Sequence, residues 1–132
     1  MAIIPFGSQV GSTVELRAGD CQWDKLLRGV IGLRMNGGTN FELPLNAALT
    51  AIEGFLAVRQ ADIVFLTDGS AAVSARFKEK FSQQQEQRKI SLFSVLVGLS
   101  RSSSGLEDIS GAMWSVESLT EGSDVEEMLG KV

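Results

Sequence analysis

Two apolar runs, residues 62–67 and 90–99, bracket a polar stretch that carries phenylalanines at helical spacing. Continuous runs of that length, bounded by turn residues, suit strands buried on both faces of a parallel sheet. Between them Val73, Phe77 and Phe81 recur at four-residue steps, which predicts a helix over 71–88. A strand, a helix and a second strand need a crossover, so the two strands are expected to be parallel and central. That pattern commits the chain to the α/β class.

The rest of the chain extends it. Residues 2–6 read as a short strand weakened by Pro5, residues 7–12 as turns, and residues 13–17 as a second strand closing a hairpin. Asp20 suits an N-cap for a helix over 21–35, with Trp23, Leu26, Leu27, Val30 and Ile31 on its apolar face. Gly29 and Gly32 inside it mark close packing, since each otherwise costs ~1 kcal/mol against alanine. A second helix follows residues 36–40 and runs to 59. Pro44 lies in its first turn, and Leu45, Ala48, Leu49, Ile52, Phe55 and Leu56 share one face. Residues 100–104 form a serine-rich loop and 106–110 a helical turn ended by Gly111. A last strand is expected over 113–117. Ser123 and Glu126 spell a capping box for a final helix to Val132. The expected sheet is mostly parallel, covered on both faces, with the hairpin as one antiparallel edge. No repeat or linker interrupts it, so residues 1–132 are expected to form a single domain.

Composition narrows the function classes. Apolar residues make up 44% of 132 residues, enough for a packed core. Sixteen acids against twelve bases give a net charge of −4, which argues against a nucleic-acid partner. Arg76, Lys78, Lys80, Arg88 and Lys89 alternate with Glu79 and Glu86 and read as a solvated face. Cys21 is the single cysteine and there is no histidine, so Ser-His and Cys-His pairs within one chain are excluded. Cys21 is expected to be an inert thiol, and Trp23, Phe41 and Trp114 core or interface aromatics. With no charged n-region at the start and no run of membrane-spanning length, a soluble cytoplasmic protein without a membrane partner is expected.

Two short strings carry the candidate chemistry. Asn36-Gly37-Gly38-Thr39-Asn40 precedes a helix, and Ile63-Val64-Phe65-Leu66-Thr67-Asp68-Gly69-Ser70 is a strand ending on an acid and a glycine. Open α/β sheets place ligands at strand ends and helix starts. A hydroxyl and a carboxylate there are hard oxygen donors of the kind magnesium or manganese accepts.

In order and spacing, these strings resemble the von Willebrand factor A family over nearly the whole chain. Gly37-Gly38-Thr39-Asn40 looks like the family's second metal-site loop, and residues 63–69 look like the strand and third metal-site loop. Residues 2–17 are similar to its second and third strands, and 90–98 and 113–116 to its last two. The family's first strand and its Asp-x-Ser-x-Ser motif have no counterpart here. The resemblance therefore implies a three-layer, Rossmann-like fold lacking its central first strand. It also implies a metal-ion-dependent adhesion site reduced to Thr39 and Asp68, with weak magnesium or manganese binding if any.

Each residue has a plainer reading beside that one. Asp68 can instead cap the helix after it, and Ser70 can be a helix-start serine. Thr39 with Asn40 can form a turn or N-cap, and Gly37-Gly38 can end a helix at positive φ. Residues 101–104 are either a ligand contact or a solvated loop. The function expected is a non-catalytic protein-protein interaction module with no cofactor. The alternatives are a small magnesium-dependent hydrolase or phosphoryl-handling enzyme using Asp68, and a self-associating domain with no ligand. The missing strand leaves an open edge and an uncovered sheet face, so a homodimer is expected, or a partner chain that supplies the strand.

Overall fold

The element order is β1 (Ala2–Ile3), β2 (Val14–Glu15), α1 (Trp23–Ile31), α2 (Glu42–Gly54), β3 (Ala61–Thr67), α3 (Ala75–Arg88), β4 (Ile90–Val97) and β5 (Ala112–Val116). These come from a computed structural model that describes residues 1–16, 23–33, 37–55, 60–99 and 105–116. The helix expected over 123–132 and the loop over 101–104 lie outside the described residues. The chain divides into two compact units, Met1–Ala57 and Val58–Val132.

In the second unit, β3, β4 and β5 form a parallel three-stranded sheet in that order. β3 pairs with β4 from Ala61 opposite Ile90 to Thr67 opposite Leu96, and β4 pairs with β5 from Phe93 opposite Ala112. The parallel pairing expected of the two apolar runs is therefore present. β4 is the central strand, whereas β3 lies at the edge of the described sheet.

One face of this sheet is a closed core. Ile90, Leu92, Ser94 and Leu96 of β4 are all buried, with Phe65 and Thr67 beside them on β3. α3 packs on β4 and contributes Phe77 and Phe81, whose rings stack with centroids 5.7 Å apart. The turn after β4 adds Leu106 and Ile109, both buried. The hydroxyls of Ser94 and Ser110 bond to each other at 2.7 Å, which satisfies a polar group in an otherwise apolar layer. Gln85 Nε2 donates to the Ile109 carbonyl at 2.9 Å, and Lys78 pairs with Asp108, so α3 is tied to that turn at two points.

On β4 the opposite face still buries Val95, but on β3 it corrects the expectation of burial on both sides. Val64 is 59% exposed and Leu66 52% exposed, while their neighbours Phe65 and Thr67 are buried. The side chains of one strand alternate between faces. β3 therefore has one covered row and one open row, despite its continuous apolar sequence.

The first unit holds β1 and β2 as a separate antiparallel pair, with Ala2 opposite Glu15. The expected hairpin exists, but it is its own two-stranded sheet and not an edge of the parallel one. Each strand has two residues, because Pro5 offers no N–H and the chain turns at Phe6, which bridges to Val10. On α1, a Cβ at Gly29 would sit 2.9 Å from Val14 Cγ2, so the helix approaches β2 through that glycine. Leu27, Val30 and Ile31 are exposed, contrary to their expected core placement. α2 ends at Gly54 and not at 59, with Phe55 turned out of helical geometry at ψ 81°. Its Leu45 and Leu49 are buried as expected.

α3 starts at Ala75 and not at 71. Ser74 is extended and its hydroxyl accepts the Phe77 N–H at 3.2 Å. Phe81→Ala is expected to cost about 3–5 kcal/mol in urea unfolding, as for large core truncations. Ser74→Ala is expected to cost about 1 kcal/mol, the usual worth of a cap. Equal costs for the two would contradict the assignment of Phe81 to the core.

Candidate functional site

β3 delivers its last residue, Thr67, into the core, and the hydroxyl closes a tight turn. Thr67 Oγ1 accepts the Gly69 N–H at 3.1 Å and lies 3.2 Å from the Gly69 carbonyl, to which it donates. This threonine turn carries the chain around Asp68, whose side chain is exposed. Asp68 makes no hydrogen bond or ion pair with any described residue. Ser70 is exposed and Gly69 half-buried. Because α3 begins at Ala75 under its own Ser74 cap, neither Asp68 nor Ser70 caps it. Both helix-start readings are thereby corrected. The start of α3 falls where Phe77 and Phe81 reach the sheet, and residues 70–74 span the distance.

A second close approach holds this loop. Gly105 has φ +71°, and a Cβ there would lie 2.7 Å from the Ala71 carbonyl oxygen. Only glycine fits both the backbone conformation and the contact. Beyond β4, Gly98 takes φ +66° and donates its N–H to Val116 at 2.7 Å. The Ser115 hydroxyl donates to the Leu99 carbonyl. The turn after β3 and residues 98–99 after β4 are thus held by neighbouring segments, with Asp68 projecting from the former.

The other string lies in the first unit. Gly38 has φ +83°, and a Cβ there would press on Ser8 at 3.2 Å. The Asn40 N–H donates to Gly7 at 2.9 Å, and Asn40 Oδ1 accepts the Leu43 N–H at 3.1 Å. Asn40 is therefore the capping residue for the first turn of α2. Phe41 is buried and meets Phe6 edge-on at 82°. Thr39 and Gly37 are exposed. Thr39 and Asp68 belong to different compact units.

Within its own unit Asp68 offers one carboxylate, and the Thr67 hydroxyl beside it is already committed to Gly69. Among the described residues no group of three or more aspartate, glutamate, histidine or cysteine side chains could hold a metal. Magnesium keeps near-octahedral oxygen coordination and gives up water reluctantly, so one carboxylate holds it weakly. Sequence reasoning missed Thr67 and Gly105. A hydroxyl two residues before a glycine at a strand end is a readable turn signal. Gly105 carries no such sign, because its constraint comes from a segment 34 residues away in sequence.

No protein-family model matches the chain, and no solved structure matches it. Two curated proteins of Methanocaldococcus jannaschii are similar. Uncharacterized protein MJ0077 is 37% identical over 84 residues, covering 64% of this chain and 20% of its own length. Uncharacterized protein MJ0811 is 37% identical over 68 residues, covering 52% of this chain and 16% of its own. The chain spans a fifth or less of the length of these relatives. No helix among the described residues is long and apolar enough to cross a membrane.

Gly105→Ala is expected to destabilise by about 1–3 kcal/mol, from positive φ and the Ala71 clash together. Gly37→Ala, with nothing within 4 Å of a new Cβ, is expected to stay within about 0.5 kcal/mol. Thermal melts of the two variants separate a pinned loop from a free one; a silent Gly105→Ala would remove the pinning.

Proposed function

We propose that the chain is a non-catalytic protein-protein interaction module of von Willebrand factor A-like design, with an incomplete metal-ion-dependent adhesion site. The observation that carries this reading is the Thr67–Asp68–Gly69 turn. An α/β sheet presents an acid at the carboxyl end of a strand, and a buried hydroxyl holds the backbone around it. Ligands of such sheets dock at that edge. The helix between two parallel strands and the glycine-rich string before α2 support the same family reading.

The partner on this reading is a protein, met by Asp68, Gly69 and Ser70 with little or no help from a cation. Catalysis is not part of the proposal. A lone exposed carboxylate without histidine is a thin basis for hydrolysis, since metal-assisted phosphoryl chemistry gathers several acids. The cytoplasmic compartment expected from the single cysteine belongs to the same proposal.

Calorimetric titration with Mg²⁺ and with Mn²⁺ is expected to show no submillimolar binding. Binding of that strength that disappears in Asp68→Ala would replace this reading with a metal-dependent one. Magnesium-stimulated phosphoester hydrolysis lost in the same variant would make the chain an enzyme.

A further inference from the structure

β3 is an outer strand of the described parallel sheet and pairs on one side with β4. The Ala61 N–H donates to the Lys89 carbonyl across the β3–β4 boundary. In a parallel ladder the residues that bond to one neighbour alternate with those that face the other side. Ala61, Ile63, Phe65 and Thr67 therefore spend their backbone groups on β4. Asp62, Val64 and Leu66 turn theirs to the open edge. No described strand pairs along that edge.

The edge also lacks the features that keep strands apart. Natural edges carry lysine, proline, bulges or inward charges. β3 has neither lysine nor proline, pairs with β4 without a bulge over its whole length, and has one charge, Asp62, near its start. Its open row places Val64 and Leu66, both more than half exposed, at the middle and end of the strand.

We propose that two copies of this chain pair antiparallel through β3, about a two-fold axis at Val64, to form one six-stranded sheet. With the axis at Val64, Val64 faces Val64 of the second copy. Asp62 faces Leu66, and Gln60 faces Asp68, an amide donor opposite a carboxylate. Each facing pair of outward residues exchanges two bonds, giving about six main-chain hydrogen bonds. Moving the axis one residue on, to Phe65, keeps the alternation but sets Asp62 against Asp68 on both sides. Like charges directly opposite are unfavourable, so charge favours the Val64 register over the Phe65 one, and an axis at Ile63 would leave Val64 without its own copy opposite and pair fewer outward residues. The edge is self-complementary and closes under two-fold symmetry, so the assembly stops at a dimer. The main-chain pairing rests on Asp62, Val64 and Leu66 within β3; Asp68, beyond the end of the strand, enters only in the choice of register.

Sedimentation velocity over a concentration series of the chain is expected to show a reversible dimer. Val64→Lys puts two ammonium groups at the axis and is expected to weaken dimerisation at least about tenfold. Val64→Thr, β-branched and uncharged, is expected to retain it. Leu66→Lys serves in place of Val64→Lys if circular dichroism shows that variant unfolded. The register is read by Val64→Cys in a Cys21→Ser background. Facing residues about 5.5 Å apart at Cα lie within disulfide reach, so mild oxidation is expected to link the copies. Three results would overturn the proposal. One is a monomer throughout the series, which leaves the edge to another strand. A second is a dimer indifferent to both lysine variants. The third is a dimer in which the thiols introduced by Val64→Cys do not cross-link.

Discussion

The stacking of Phe77 on Phe81 sets how α3 rides over β4, and most of the second unit follows from it. Two rings one helical turn apart cover the row Ile90, Leu92, Ser94 and Leu96 and so decide which face of the sheet becomes core. Side chains alternate along a strand, so the same choice leaves Val64 and Leu66 on the other face. Phe77 must reach the sheet, which fixes where the helix starts. Ser74 then caps it and residues 70–74 become a spanning loop.

That loop is where the fold presents its chemistry. Thr67 is buried because it belongs to the core row of β3, and burial obliges its hydroxyl to find a partner. The partner it finds, Gly69, is two residues on, and closing that turn exposes Asp68. Gly105 then passes close enough to Ala71 to hold the loop from the far side. Asp68 is thus an exposed acid on a constrained backbone.

Much of the architecture was legible in residue patterns. The two apolar runs and the phenylalanine spacing between them announced the strand–helix–strand unit, and the structure pairs those strands in parallel. Gly29 inside a helical pattern signals close packing, and it meets Val14. Other expectations failed for identifiable reasons. A continuous apolar strand looks the same whether one face or two are covered, since hydropathy does not record the covering element. Leu27, Val30 and Ile31 satisfy helical periodicity yet lie exposed. The hairpin was readable, but its membership in a separate sheet was not, because pairing partners are set by long-range register.

By itself, then, the sequence determined the α/β class, the order of the central elements and the two strings that hold the candidate residues. Periodicity and turn chemistry are local properties, and local rules suffice to read them. The tertiary structure alone decided that β3 is the edge strand of the described sheet, with an open row. It also decided that Thr67 rather than Asp68 organises the turn, and that Gly105 must lack a side chain. Each of these depends on which distant segment arrives at a given backbone group, and close packing settles that only once the chain has folded.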